Sequence, residues 1–142
     1  VEMEIRPMRI AEQEQLAAIY LKARQVSFPW VQDPQLADFK RDSMGESVII
    51  AAIDGKIVGF ASLNRLLAFV HLLFVDPDWQ RMSVGHRLIE EMDKRTQRPL
   101  TLKCVIENKP ALAFYKREGF EILRENRNDV PANDTLIKQK NE

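Results

Sequence analysis

The stretch Leu72-Leu73-Phe74-Val75-Asp76-Pro77-Asp78-Trp79-Gln80-Arg81-Met82-Ser83-Val84-Gly85-His86-Arg87-Leu88 decides the fold. Its apolar opening reads as the end of a strand. Asp76-Pro77 stops that strand, because proline has no N–H to offer a ladder. Val84, Leu88 and Met92 then recur at i, i+4 and i+8, which predicts a helix over Ser83 to Arg95 with one apolar face. A strand that runs through a short loop into a helix leaves several N–H groups at the helix N-terminus without intrahelical partners. With the positive end of the helix dipole, those groups suit a phosphate or pyrophosphate. Gly85 admits close approach, and Arg81, His86 and Arg87 bring positive charge. The same residues also fit a plain strand–turn–helix connection with a basic surface cluster, so a second motif is needed to choose.

Outward from this stretch the elements alternate. Glu2 to Arg6 reads as a strand ended by Pro7. Ala11 to Gln25 carries Leu16, Ile19, Tyr20 and Ala23 at helical spacing. Asp33-Pro34 predicts a second helix start, an N-cap acid before proline, with an end near Ser43 to Gly45. Ser47 to Ile53 and Lys56 to Leu63 flank Asp54-Gly55, a strong hairpin signal, since a type I′ turn needs positive φ at both central residues. Leu66 to Val75 is a third apolar run, giving an antiparallel meander. Beyond the Ser83 helix, Leu100 to Ile106 is strand-like. Pro110 to Glu118 is a short helix stopped by Gly119, the favoured residue just past a helix end. Phe120 to Leu123 and Thr135 to Ile137 close the chain as strands around a polar turn. The order β-α-α-β-β-β-α-β-α-β-β predicts an α/β fold, a single mixed and mainly antiparallel sheet flanked by helices on both faces.

The bulk properties narrow the function. With 142 residues, the chain fits one domain, residues 1–142. It carries 21 basic and 21 acidic side chains, and this neutral balance speaks against a general nucleic-acid or polybasic membrane binder. No apolar run approaches the roughly 18 residues of a membrane span. The opening Val1-Glu2-Met3-Glu4 is too acidic for a secretory signal. One cysteine, Cys104, and two histidines, His71 and His86, leave no disulfide framework and no basis for a structural zinc site. A reducing, cytoplasmic setting is expected, without metal. Cys104 reads as a small buried apolar residue, and Glu12, Glu14, Glu90 and Glu91 as solvated helix positions.

The second motif is Asn108-Lys109-Pro110-Ala111-Leu112-Ala113-Phe114-Tyr115-Lys116-Arg117-Glu118-Gly119-Phe120. Alone it is a small amphipathic helix with a glycine stop. Paired with the first, it resembles the GNAT superfamily of N-acyltransferases. A strand ending Leu-x-Val-x-Pro is followed by Gln-x-x-Ser-x-Gly opening a helix, then by Asn-x-x-Ala-x-x-Phe-Tyr-x-x-x-Gly-Phe. The element order agrees from about Glu2 to Leu123. The pattern departs at Ser83, where the family expects glycine; serine still offers its N–H and adds a hydroxyl, but takes positive φ less cheaply.

The resemblance implies an acetyl-CoA-dependent N-acetyltransferase in which a primary amine attacks the thioester directly, in a ternary complex. It implies that the backbone of Leu73 and Val75 bonds the pantetheine arm. The loop amides from Gln80, Arg81, Met82, Ser83, Val84 and Gly85, with His86, would hold the pyrophosphate. Asn108 would touch the pantetheine end, and Tyr115 would be the general acid for the departing thiolate; a helix tyrosine packed on the sheet is the plainer alternative. His71 sits on the predicted central strand with the parity of Leu73 and Val75, where many members carry an acidic base; it is a candidate base or a satisfied sheet histidine. Phe28 and Trp30, between the first two helices, are candidate walls for the acceptor, or aromatics plugging the edge of the core. The acceptor is a small-molecule amine or a protein or peptide amine, and a homodimer is compatible with the family. Two rivals stand: a non-catalytic acyl-CoA-binding or interaction domain of the same fold, and a nucleotide-binding module. The second lacks both Gly-x-Gly-x-x-Gly and Gly-Lys-Ser/Thr.

Overall fold

A computed structural model describes residues 2–80 and 82–140. The strands are β1 (Met3–Pro7), β2 (Ser47–Ile53), β3 (Lys56–Asn64), β4 (Phe69–Val75), β5 (Leu100–Val105), β6 (Glu121–Asn126) and β7 (Asn133–Lys138). The helices are α1 (Gln13–Ser27), α2 (Asp38–Ser43), α3 (Val84–Lys94) and α4 (Lys109–Arg117), with single 3-10 turns at Ile10–Glu12 and Pro77–Trp79. The expected alternation is therefore realised. All strands join one seven-stranded sheet in the order β1-β2-β3-β4-β5-β7-β6, antiparallel except for β4 beside β5.

Helices cover both faces. On one face α1 buries Leu16, Ile19, Tyr20 and Ala23 with Phe39 of α2 against Ile50, Phe60 and Phe74. On the other, α3 buries Val84, Leu88, Ile89 and Met92 against Ala61, Leu63 and Leu102. Leu88 is fully buried, and its loss to alanine would cost about 2–5 kcal/mol. The Asp54-Gly55 hairpin is as predicted, with φ of 51° and 80°.

Three boundaries differ from expectation by three residues or more, one of them the end of β6, at Asn126 where Leu123 was expected. The second helix starts at Asp38, not at Asp33-Pro34. Asp33 has φ 48°, and its carboxylate takes the Gln35 side chain instead of capping a helix. Asp38 instead accepts from the Gln35 N–H and pairs at 3.0 Å with Arg24, a guanidinium buried in α1. The third meander strand starts at Phe69, not at Leu66. Leu66 and Leu67 lie exposed in a turn, where the Leu67 N–H donates to Asn64 Oδ1 and Ala68 has φ 54°. Glu12, expected on a solvated face, is instead clamped by Arg6 through 2.9 and 2.6 Å bonds. That pair ties β1 to the start of α1 and holds the Glu12 carboxyl at about 2, well below the usual 4.5.

Candidate active site

The site begins with a gap in the sheet. β4 and β5 pair only at Phe69 with Thr101 and Val70 with Leu102, and then part. Beyond Val70, β4 keeps its ladder with β3 alone. The Asp76 N–H donates to Val58 O, toward β3. Period-two alternation then turns the N–H and C=O groups of Leu73 and Val75 toward the opening. These two residues thus lie on an unpaired strand edge, open to an extended ligand.

At the end of β4 the chain turns sharply into α3. Asp76 accepts from the Asp78 N–H at 3.0 Å, and Pro77 leads the 3-10 turn. Lys22 of α1 clamps this turn, 3.0 Å from Asp76 and 2.9 Å from Asp78, a link no local sequence signal announces. Gln80 and Met82 are exposed on the loop; Arg81 lies outside the described residues. The first intrahelical bond runs from Arg87 N–H to Ser83 O at 3.0 Å. The N–H groups of Val84, Gly85 and His86 precede it and have no acceptor among the described residues.

Three residues of this segment set how the helix end is built. Ser83 is the N-cap residue at φ 62°, ψ 19°, yet its side chain makes no capping bond. The side chain of Val84 is buried in the core, so only its N–H faces outward. A Cβ on Gly85 would meet Phe114 Cζ at 2.8 Å, so this glycine makes room for α4. Of the expected basic cluster, His86 and Arg87 are engaged by other groups, Arg87 Nε also lying 3.9 Å from Glu90, and Arg81 lies outside the described residues. His86 Nδ1 lies 2.7 Å from Glu118, and Arg87 reaches the Met3 carbonyl at 3.5 Å. The amides and the dipole of this helix end remain available to an anion.

Opposite the gap, Asn108 caps α4, its Oδ1 accepting from the Ala111 N–H at 3.3 Å. Its oxygen is thus engaged, and its NH2 group donates to no acceptor among the described residues. Tyr115, part-buried, packs edge-on to Phe114 and Phe120 with centroids at 5.3 and 5.4 Å. Burial pushes its phenol well above the usual 10, with the nearby Cys104 thiol adding to the effect. Its hydroxyl has no hydrogen-bond partner among the described residues. Cys104 is buried as expected, and burial raises its thiol to about 11.

The expected parity of His71 is overturned. Ser62 pairs with Leu72 but Leu63 pairs with Val70, so His71 is the extra residue of a β-bulge. Val70 and Leu73 accordingly face α3, whereas Leu72 and Phe74 face α1. His71 bonds to Glu46, which also accepts from Ser62 Oγ, placing its ring on the α1 and α2 side, opposite Leu73 and Val75. Phe28 and Trp30 lie on that same side. Their rings are 4.8 Å apart, and Phe28 stacks 5.3 Å from Phe74 of β4. An open cavity of about 340 Å³ lies at the end of β5, lined by Lys103, Val105, Asp129, Val130, Pro131 and Asn133. Lys103 and Val105 alternate with the buried Leu102 and Cys104, so they too face away from α3. Sequence reasoning missed Glu46, Lys22 and this cavity, because each depends on contacts between distant segments.

Comparison with known proteins agrees with this geometry. A family model described as an acetyltransferase (GNAT) domain matches residues 44–122. An uncharacterized N-acetyltransferase of Methanocaldococcus jannaschii is 37% identical over 95 residues, 58% of this chain and 41% of that protein. The ribosomal protein bS18-alanine N-acetyltransferase of Escherichia coli is 30% identical over 126 residues, 83% of this chain and 82% of that one. Among solved structures, the PaiA N-acetyltransferase of Thermoplasma acidophilum, in complex with coenzyme A, superposes with a TM-score of 0.79 at 16% identity. It covers 99% of this chain and 100% of that one. By the family match, by the bS18-alanine relative and by its own parted sheet, the chain belongs to the GNAT superfamily of N-acetyltransferases.

Proposed function

We propose that the chain transfers an acetyl group from acetyl-CoA to a primary amine by direct attack in a ternary complex, with residues 1–142 acting as one catalytic domain. The observation that carries this reading is the parting of β4 from β5 beside the free N–H groups of α3. One gap offers a strand edge to a pantetheine arm, and the adjoining helix end offers amides to a pyrophosphate. The coenzyme A held by the T. acidophilum structure supports the donor.

In this reading the Leu73 N–H donates to the thioester carbonyl, stabilising the oxygen as negative charge develops there. Leu73 and Val75 hold the arm in line, and the amides from Ser83 to His86 hold the phosphates. The Asn108 NH2 group donates near the pantetheine end. Tyr115 stays protonated through the neutral range, because burial disfavours its phenolate, and so serves as acid to the departing thiolate. His71 takes a proton from the amine. The amine approaches from the side of His71, Phe28 and Trp30, opposite Tyr115. A cytoplasmic setting belongs to the same reading, in keeping with a free, buried thiol.

The test is a coupled assay for free CoA thiol over a panel of amines that includes peptides beginning with alanine, the residue named for the E. coli relative. Thiol release dependent on both substrates is expected. A rise in Tm with CoA but no release with any amine would favour the rival reading, a non-catalytic acyl-CoA-binding domain.

A further inference from the structure

The bulge leaves His71 in a pair that sequence reasoning did not foresee. Gly45, at φ 78°, ends the turn after α2, and the Glu46 N–H donates to the Ser43 carbonyl at 3.1 Å. This turn places Glu46 at the head of β2, with only 16% of its side chain exposed. Glu46 Oε1 accepts from Ser62 Oγ, on a serine fully buried in β3. The same carboxylate lies 3.0 and 3.1 Å from His71 Nδ1 through its two oxygens. An ionised carboxylate only accepts, so Nδ1 must carry the proton. A neutral imidazole has one N–H, which leaves Nε2 bare and basic. Nε2 has no partner among the described residues.

We propose that Glu46, locked in place by Ser62, is a positioning residue that holds His71 as the Nδ1–H tautomer and presents Nε2 to the acceptor amine. This rests on His71 being the base. The amine nitrogen forms the N–C bond as the C–S bond breaks, and its proton passes to Nε2. The departing thiolate takes the Tyr115 proton. The imidazolium releases one proton to solvent, and the tyrosinate regains one. Glu46 fixes the ring and faces the positive charge that forms on it, the part a carboxylate plays behind a general-base histidine elsewhere. Among the described residues Asp42 of α2 is a further anion near the ring, and it is already occupied by Tyr20 Oη at 2.6 Å and Arg41 Nε at 2.8 Å.

Nitrogen-15 spectroscopy of the neutral histidines tests the tautomer without any acceptor. The His71 signals are those lost in His71→Asn, since His86 is the other histidine. Wild type should show protonated Nδ1 and bare Nε2. Glu46→Ala should revert to the Nε2–H form that free histidine prefers, whereas Glu46→Gln, whose amide oxygen still accepts, should keep Nδ1–H. Ser62→Ala, a milder change that frees Glu46 to turn, should give a mixture. An Nε2–H ring in wild type, or pure Nδ1–H in both Glu46→Ala and Ser62→Ala, overturns the proposal. In the thiol assay Glu46→Ala should lower kcat about 10-fold or more, with KM for the amine within about threefold and most of the loss restored in Glu46→Gln. Unchanged kcat in Glu46→Ala alone overturns the positioning role; unchanged kcat in His71→Asn as well overturns the base assignment beneath it.

Discussion

Ser83→Gly isolates the energetic cost of the residue that departs from the family motif. Ser83 sits at φ 62°, ψ 19°, the left-handed region. An L-residue pays about 1–2 kcal/mol to stand there. Glycine removes that strain but returns about 0.5–1 kcal/mol, because its unfolded chain is freer. The net gain lies between about 0 and 1.5 kcal/mol and centres at about 0.75, a rise in Tm of roughly 2–3 °C at the centre for a chain this long. Ser83→Ala keeps the Cβ and therefore the strain. The usual N-cap loss of about 1 kcal/mol should not follow, because the serine makes no capping bond. Calorimetry should therefore rank glycine above both serine and alanine, with the last two within about 1 °C. Titration with CoA supplies the second measurement. The strain is already present without ligand, so it cancels between free and bound states. Ser83→Gly should leave Kd within about twofold. A lower Tm for glycine, or equal gains for glycine and alanine, would refute the strain argument. A tenfold tighter Kd for glycine would mean that the strain arises only on binding.

Gly85→Ala should cost about 1–3 kcal/mol, because its Cβ meets Phe114 Cζ at 2.8 Å; thermal melts should show part of the loss recovered on adding Phe114→Leu. Tyr115→Phe should lower kcat by roughly 10²-fold if the phenol is the acid, with little change in Tm, and near wild-type turnover would remove Tyr115 from the mechanism. The Arg6–Glu12 pair should weaken in acid. Glu12 has a depressed pKa, so its contribution is full above 4.5 and is lost as pH falls toward about 2. The Tm gap between wild type and Glu12→Gln should therefore be constant from pH 5 to 7 and close below pH 4.5, and a gap unchanged at pH 2.5 would exclude the pair as its source.

Local physics made much of this protein legible in its sequence. Asp54-Gly55 demands a tight hairpin wherever it falls between two apolar runs. Val84, Leu88 and Met92 mark the buried stripe of α3 by spacing alone. Gly119, at φ 97°, ends α4 as its position implied. The two motifs lay close enough in the chain to name the family and to point at Tyr115, Asn108 and the start of α3. The Asp33-Pro34 start was a fair local signal, but the buried guanidinium of Arg24 drew the helix start to Asp38 instead. The face on which His71 lies was set by register with β3, since one extra residue in β4 reverses the alternation that a single strand predicts. Gly85 acquired its packing role only when α4 came to rest on α3. Glu46 and His71 are 25 positions apart, and no periodicity links them. The chain alone determined the order of the elements and the ends of most of them, because turns, caps and periodicity act over a few residues. Only the folded sheet decided which side chains share a face and which charges meet, because strand register and helix docking join segments that local chemistry cannot relate.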